Sequence, residues 1–546
     1  MGGRGAHDQR YATSRHKSIS NQYSVTLELC LVHLTAKFSS LLTIILHSMS
    51  VDNGLLMDTD AYNKLQTKLE KELFIFQWLT GLEKTVLNYP KAEFKPLQSK
   101  LTLELQELLK SEHGPPVRRL LGNAFVAVYS VGDTYSMYDT ITVCLDLIKS
   151  KTDNITMLGC IEILGHLYEK LGRSAGGVFP DCLQALVKSI KSSDASVRKS
   201  SIYSMEQMII GLETSASYGY KDMSKAFRSC MTDKSLNVKC KAVQGLRALS
   251  LFYNVTYTSD LDSNIAMCLK VLEGANYDCR IAIAQLLGTL ISKALQFKVP
   301  EGSKIKSYST DEVFSFLSMS FLHGSISILK TSGVDLGKSV TPREVRVGIT
   351  EAYTFFFKEM NNPWVVNNLN FIVSHLLDLL SNSKATPSHV EAVYSRKCIS
   401  FVMDSLINSL LGEASQLEIA KILIIAVHKQ MENLNKSDSS LSDAQSSQHI
   451  ISTALYQLSS VVLRLGTASM TLITDHIPVA QGKSIMFTET VFEVLLHPSP
   501  AARLTAAWCL RCTATAVPAQ LTALVDICTG GFLYFIPRVL SAIEPF

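Results

Sequence analysis

The sequence predicts an all-α protein, an α-solenoid of antiparallel helix pairs repeating about every 40 residues. Three observations carry this. Proline and glycine number only 15 and 28 in 546 residues, below the usual ~5% and ~7%, which disfavours turn-dense β architectures. The chain is 47% hydrophobic and 18% charged, too apolar for a disordered protein and too long for one compact core. And one short pattern recurs along its length.

That pattern is a turn holding Pro, Asp or Asn, then a small apolar residue followed by Arg or Lys, then an apolar helix. Its copies place Arg118 after Val117, Arg198 after Val197, Lys239 after Val238, Arg280 after Cys279, Arg346 after Val345 and Arg503 after Ala502. The basic positions are 80, 41, 41, 66 and 157 residues apart. The 41s set the period, 80 reads as two periods and 157 as four. Weaker copies at Asp153–Thr156, His389–Glu391 and His449–Ile451 fill the gaps. Helix pairs of this length, with Val-Arg opening the second helix, are of HEAT type.

Each copy has a physical reading. After Asp194, residues Ile202, Met205, Ile209 and Leu212 are spaced three or four apart and lay one apolar stripe along a helix. Asp194 is placed to cap that helix, because its carboxylate accepts orphan backbone N–H groups at the positive end of the dipole. Arg198 and its equivalents Arg118, Lys239, Arg280, Arg346 and Arg503 are expected to form a polar ladder between repeats. The longer 66-residue interval places loops around Lys298–Ser307 and Lys330–Ser339, and the Ser-rich segment 433–448 reads as a mobile inter-helix loop. Within it, Ser440-Leu-Ser-Asp443 matches what acidophilic kinases accept.

A search for chemistry returns no Walker loop, dinucleotide fingerprint, HExxH, nucleophile elbow or kinase signature. Cys509-Leu-Arg-Cys512 is the one C-x-x-C, with His497 as an isolated further candidate; two more ligands would be needed for zinc. Both thiols read as packing residues of a solenoid helix, and Trp78, Trp364 and Trp508 as core anchors. No catalytic, cofactor or metal residue is assigned, no cofactor is expected, and partner-contact residues are left open.

Net charge is +4, and residues 1–48 supply most of it through Arg4, Arg10, Arg15, Lys17 and Lys37 against Asp8 and Glu28. The near-neutral remainder disfavours nucleic-acid binding. Scattered cysteines suit a reducing cytosol, and Val25–Ser48, interrupted by Glu28, His33 and Lys37, is no transmembrane segment. Residues 1–48 are expected to be a disordered extension, with Met49 and Met57 as alternative starts to Met1. Residues 57–528 form the repeat array. The tail 529–546 departs from the pattern, and its Phe532–Ile536 run is expected to promote self-association rather than to cap the array.

Several segments carry a family resemblance: Phe74–Lys84, Gly114–Leu121, Tyr129–Thr134, Arg343–Tyr353, His389–Cys398, Leu411–Glu413 and His497–Cys512. Together they resemble the N-terminal part of the HEAT repeat-containing protein 5 family, from about Met57 to Cys528. The resemblance implies a non-enzymatic cytosolic solenoid that accompanies the trans-Golgi clathrin adaptor together with aftiphilin and gamma-synergin. It implies a role in endosome-to-Golgi and endocytic vesicle transport, with peripheral membrane association only through partners. The competing expectation for such a fold is a nuclear transport receptor or a phosphatase scaffold.

Overall fold

The computed structural model describes residues 55–150, 153–302, 305–324, 342–435, 441–479 and 483–529. The expectations for 1–48, Lys330–Ser339, Ser440 and the Phe532–Ile536 run lie outside the described residues. Contacts divide the chain into two compact units, the first ending at Leu186 and the second starting at Val187.

In the first unit α1 (Thr59–Lys64) leads into α2 (Lys68–Leu87), α3 (Lys91–Leu109), α4 (Pro115–Val131), α5 (Met137–Lys149) and α6 (Asn154–Leu171). The unit boundary falls within α7 (Phe179–Ser189). Helix starts follow the local sequence. Thr67 and Glu70 close a capping box on α2, Pro115 pre-sets the first turn of α4, and the Asp153 carboxylate accepts from the amides of Ile155 and Thr156 at α6. Each pair has a first (A) helix, such as α3 or α5, and a second (B) helix, such as α4 or α6. The B helices α2, α4 and α6 stack in sequence, with α4 and α6 covered by their A helices α3 and α5.

The second unit repeats this arrangement. Its helices are α8 (Ala195–Leu212), α9 (Tyr220–Cys230), α10 (Leu236–Phe252), α11 (Leu261–Leu272), α12 (Tyr277–Gln296), α13 (Thr310–His323), α14 (Arg343–Glu359), α15 (Asn362–Asn367), α16 (Leu369–Asp378), α17 (His389–Leu410), α18 (Glu413–Leu434), α19 (Leu441–Leu465), α20 (Met470–Thr474), α21 (Phe487–Val494) and α22 (Pro500–Ala516), followed by a helical stretch at 521–529. The B helices α8, α10, α12, α14, α17, α19 and α22 stack one on the next, and the A helices pack alongside. Each unit is thus an all-α solenoid of HEAT-type antiparallel helix pairs. The only described sheet is the two-residue pairing of β1 (Ile477–Pro478) with β2 (Ser484–Ile485).

The stripe read after Asp194 is the core of α8: Ile202, Met205, Ile209 and Leu212 are all buried, and Asp194 Oδ1 accepts from the Ser196 amide at 2.7 Å. Aromatic packing joins α13, α14 and α16, where the Phe314 ring meets Phe356 and Phe371 edge-on at 5.7 and 5.0 Å, favoured by the ring quadrupoles. Where α12 meets α14, Gly288 lets backbones close up; a Cβ there would lie 2.8 Å from Phe355 Cβ and 2.9 Å from Phe356 N.

Two expectations change. The 157-residue interval from Arg346 to Arg503 holds three steps rather than four. Burial places Ser395 of α17 and Ile450 of α19 where Val197 stands in α8, so the equivalents of Arg198 are Arg396 and Ile451, and the steps are 50, 55 and 52 residues. The cause is helix length: α17, α18 and α19 run 22, 22 and 25 residues against 18 and 11 for α8 and α9. The described residues of the segment 433–448 are helical apart from Asn435. Asn433 and Leu434 end α18, and α19 begins at Leu441. A serine followed three residues later by an acid, as in Ser440-Leu-Ser-Asp443, is also a helix-start signature.

Candidate partner-binding surface

Four of the six basic residues of the repeat motif, Arg118, Arg198, Arg280 and Arg346, reach an acid of a neighbouring repeat. Arg198 grips Asp233 with both arms, Nε at 2.8 Å and Nη2 at 2.9 Å, while Nη1 donates to the carbonyls of Ser192 and Ser193. That fork holds the Asp233 carboxyl below its ordinary range and raises the Arg198 guanidinium. In the first unit Arg118 does the same with Glu162 and the His113 carbonyl. Arg280 approaches Glu351 at 3.8 Å. Beside Lys239, it is Lys241 that pairs, with Glu206 at 3.0 Å. Arg346, wholly buried, reaches Glu391, Ser395 and the Lys384 carbonyl. Arg503 donates to the carbonyls of His497 and Pro498, within its own turn. The polar ladder therefore joins repeats at Arg118, Arg198, Arg280 and Arg346, while Lys239 and Arg503, expected to belong to it, do not bridge repeats.

The C-x-x-C thiols are core residues. Cys509 and Cys512 are both buried; burial pushes Cys509 up to about 12 and raises Cys512 as well. His497 is a turn residue: its Nδ1 accepts from the Ser499 amide at 2.9 Å, so Nε2 carries the proton and donates to Ser447 Oγ at 3.2 Å. Burial lowers its pKa, with Arg503 adding to the effect. Among the described residues no group of three His, Cys, Asp or Glu side chains is arranged to hold a metal ion. Nor is any described helix long and apolar enough to cross a membrane.

Tryptophans behave unequally. Trp364 packs edge-on against Phe356 at 5.8 Å, and Trp78 is half-buried. Trp508 is a correction to the sequence reading, since it is 47% exposed and carries the Arg511 guanidinium over its ring at 5.2 Å. Its neighbours explain why. With Ala502 standing where Val197 does in α8, Trp508 is equivalent to Tyr203; on the same register so are Phe401 of α17 and Tyr456 of α19. Phe401 is 53% and Tyr456 51% exposed. Contacts between the three helices agree with this alignment to within two residues. Gln457 Nε2 donates to the Ser400 carbonyl at 3.4 Å, one residue from Tyr456 and Phe401 respectively, and Ser459 hydrogen-bonds the thiol of Cys509, one residue from Trp508. A row of exposed aromatic rings therefore crosses α17, α19 and α22 at one structural position. The sequence reading missed it because the unequal steps of 55 and 52 residues hide the equivalence under a period of 41.

No protein-family model matches the chain. Among curated proteins, Protein SWEETIE of Arabidopsis thaliana is 22% identical over 479 residues, covering 86% of this chain and 20% of its own length; the chain thus spans about a fifth of the curated relative it matches. Among solved structures, yeast importin-β (Kap95p) in a study of its binding to RanGDP aligns with a TM-score of 0.41 at 12% identity, over 89% of this chain and 58% of its own. Kap95 with Nup1 aligns at 0.37 and 12% identity, over 93% and 73%. An engineered protein aligns at 0.35 and 12% identity, over 83% and 97%. What residues and geometry establish together is a HEAT-type solenoid in which most motif charges are spent between repeats and three B helices carry an exposed aromatic row.

Proposed function

We propose that this chain is a non-enzymatic scaffold that binds partner proteins along its stacked helices, and that it serves clathrin-associated vesicle transport between endosomes and the trans-Golgi network. The observation that carries the scaffold reading is the row Phe401, Tyr456 and Trp508, half-exposed rings at one position of three successive helices. Regularly spaced, rigidly held side chains on a stacked array make an extended binding surface. The trafficking assignment is supported by the resemblance of segments such as Phe74–Lys84 and His497–Cys512 to the HEAT repeat-containing protein 5 family. Residues 57–528 are proposed as the repeat array, acting at the cytosolic face of the trans-Golgi network and endosomal vesicles through partners rather than through a membrane span.

Affinity capture from cytosol on the immobilised full chain tests this. Enrichment of aftiphilin, gamma-synergin or the trans-Golgi clathrin adaptor over a scrambled-surface control is the expected result. Their absence, when a full-length family member captures them in parallel, overturns the trafficking reading for this chain.

A further inference from the structure

Exposed apolar side chains scattered singly are ordinary. Three aromatic rings at one position of consecutive packed helices are not scattered. For Phe401 and Tyr456 the exposure is not an effect of lying at the edge of the stack. Helix α17 is covered on both sides by α14 and α19, and α19 by α17 and α22, yet Phe401 and Tyr456 remain half-exposed. The positions that serve stacking are different ones: Ile202 and Ile209 of α8 are buried, while their equivalents in α22 are Ala507, which is exposed, and Ala514, which is half-buried. Earlier in the same unit the position holds Tyr203, which is half-buried with Lys241 over its ring at 4.8 Å, and then Gln244, Gln285 and Glu351, so it presents no exposed ring before α17. The apolar row is thus confined to three neighbouring helices.

Its charge surroundings are predominantly basic. Helix α22 carries Arg503 and Arg511 and no acidic residue; from Gln445 onward α19 carries Arg464 and none. On α17, Lys397 is exposed, Glu391 is engaged by Arg343 and Arg346, and Asp404 is half-buried with Gln457 as hydrogen-bond partner. The spacing selects the backbone form of the occupant. Packed helix axes stand about 8–10 Å apart, and a polyproline II segment, with three residues per turn and about 3.1 Å rise, brings every third side chain to the same side at about 9 Å. A β-strand returns its side chains to one side at about 6.6 Å and falls out of step.

We infer that the Phe401–Tyr456–Trp508 face binds an extended acidic peptide segment of polyproline II form, with an apolar side chain at every third residue. The rings take the apolar side chains, and Lys397, one turn from Phe401, and Arg511, over the Trp508 ring, take the flanking carboxylates. This rests on the scaffold reading but not on the trafficking assignment, so the capture experiment above and the one below fail separately.

The test uses the full chain and a fluorescein-labelled peptide, Glu-Asp-Phe-Glu-Pro-Leu-Glu-Pro-Phe-Asp-Glu, in fluorescence anisotropy, with a control peptide bearing Lys at every acidic position. The expected result is saturable binding of the acidic peptide and at least tenfold weaker binding of the control. Phe401→Ser and Trp508→Ser should each weaken the acidic peptide tenfold or more, and Arg511→Glu should narrow the gap between the two peptides. Unchanged circular dichroism melting separates lost contact from lost fold, since the substituted rings are half in solvent. Three results overturn the inference: no saturable binding; a Phe401→Ser/Tyr456→Ser/Trp508→Ser triple variant with wild-type affinity; or displacement of the peptide by an oligouridylate that binds more tightly, which would make the face a nucleic-acid surface.

Discussion

Arg346 and Arg343 share one carboxylate, Glu391, and they make a sharp test of what the ladder contributes. Arg346 is fully buried. Its Nη1 donates to Glu391 Oε2 at 3.0 Å and Ser395 Oγ at 3.2 Å, its Nη2 to the Lys384 carbonyl at 2.9 Å, and its plane lies over the Phe321 ring at 5.6 Å. Burial pulls its pKa below the ordinary arginine value, with Glu391 opposing that shift, and it stays charged. Arg343, 52% exposed at its side chain, reaches Glu391 Oε1 at 2.9 and 3.0 Å. Removing one member of a buried hydrogen-bonded ion pair costs about 3–5 kcal/mol, because the other is left desolvated along with the carbonyls it served. Losing the exposed arm costs about 1 kcal/mol at most. A solenoid unfolds piecewise, so the assay is native-state hydrogen exchange on peptides from α14 and α17. Arg346→Ala should reduce protection there by roughly two to three and a half orders of magnitude and Arg343→Ala by no more than about fivefold. In a double-variant cycle, Arg346→Met with Glu391→Gln should cost at least about 1 kcal/mol less than the two changes summed. Equal losses for Arg346→Ala and Arg343→Ala, or additivity in the cycle, would refute the reasoning.

Four further outcomes are expected. Val197, fully buried, tolerates Asp at a cost of about 4 kcal/mol or more, whereas Arg198→Lys gives up the fork on Asp233 for about 1–3 kcal/mol; similar melting temperatures for the two would show the register to be wrong. Gly288→Ala drives a Cβ into the backbone of α14 and costs about 1–3 kcal/mol, read as a lowered thermal midpoint; an unchanged midpoint would contradict the close approach of α12 and α14. His375 is pushed down to about 4 by burial, so between pH 6.5 and 4 the unfolded chain takes up a proton that the fold excludes and stability falls; His375→Gln should flatten that slope in urea titrations. Under native iodoacetamide labelling, exposed Cys528 should react while Cys509 and Cys512 stay protected until unfolding; fast native labelling of Cys509 would contradict its core placement.

How much of this was legible depended on whether a signal was local. Asp194, Val197 and the stripe from Ile202 to Leu212 follow from capping and helical periodicity alone, and they stand where those rules place them. The ladder role of Arg198 was legible as well, because an arginine at a helix start beside an interhelical turn has carbonyls and a neighbouring acid within reach. Arg396 escaped notice because Ser395, rather than an apolar residue, precedes it; that serine is fully buried and satisfied by donating to the Ala385 carbonyl at 2.7 Å, so its polarity conceals a core position. A cleaner period also lay unread in the A helices. Asp139, Asp181, Asp222 and Asp262 open four of them, and Lys149, Lys188, Arg228 and Lys270 close them, as the helix dipole favours.

The aromatic row was least legible, and the reason is physical. Core positions are constrained by a neighbour on every side, so their apolar pattern persists when helices lengthen, and burial recovers the register after a fixed period has failed. Solvent-facing positions carry no such constraint; their identity becomes informative only once the core register says which of them coincide. Phe401, Tyr456 and Trp508 are 55 and 52 residues apart, spacings that look unrelated until Ser395, Ile450 and Ala502 are seen to occupy one core position. Lengthened helices α17 to α19 and the exposed rings occur in the same stretch of the second unit. A longer repeat there widens the face without changing the distance between stacked helices, which packing holds at about 8–10 Å. Side chains presented on that face therefore keep a spacing set by the core, and an extended segment of fixed rise can meet them in register.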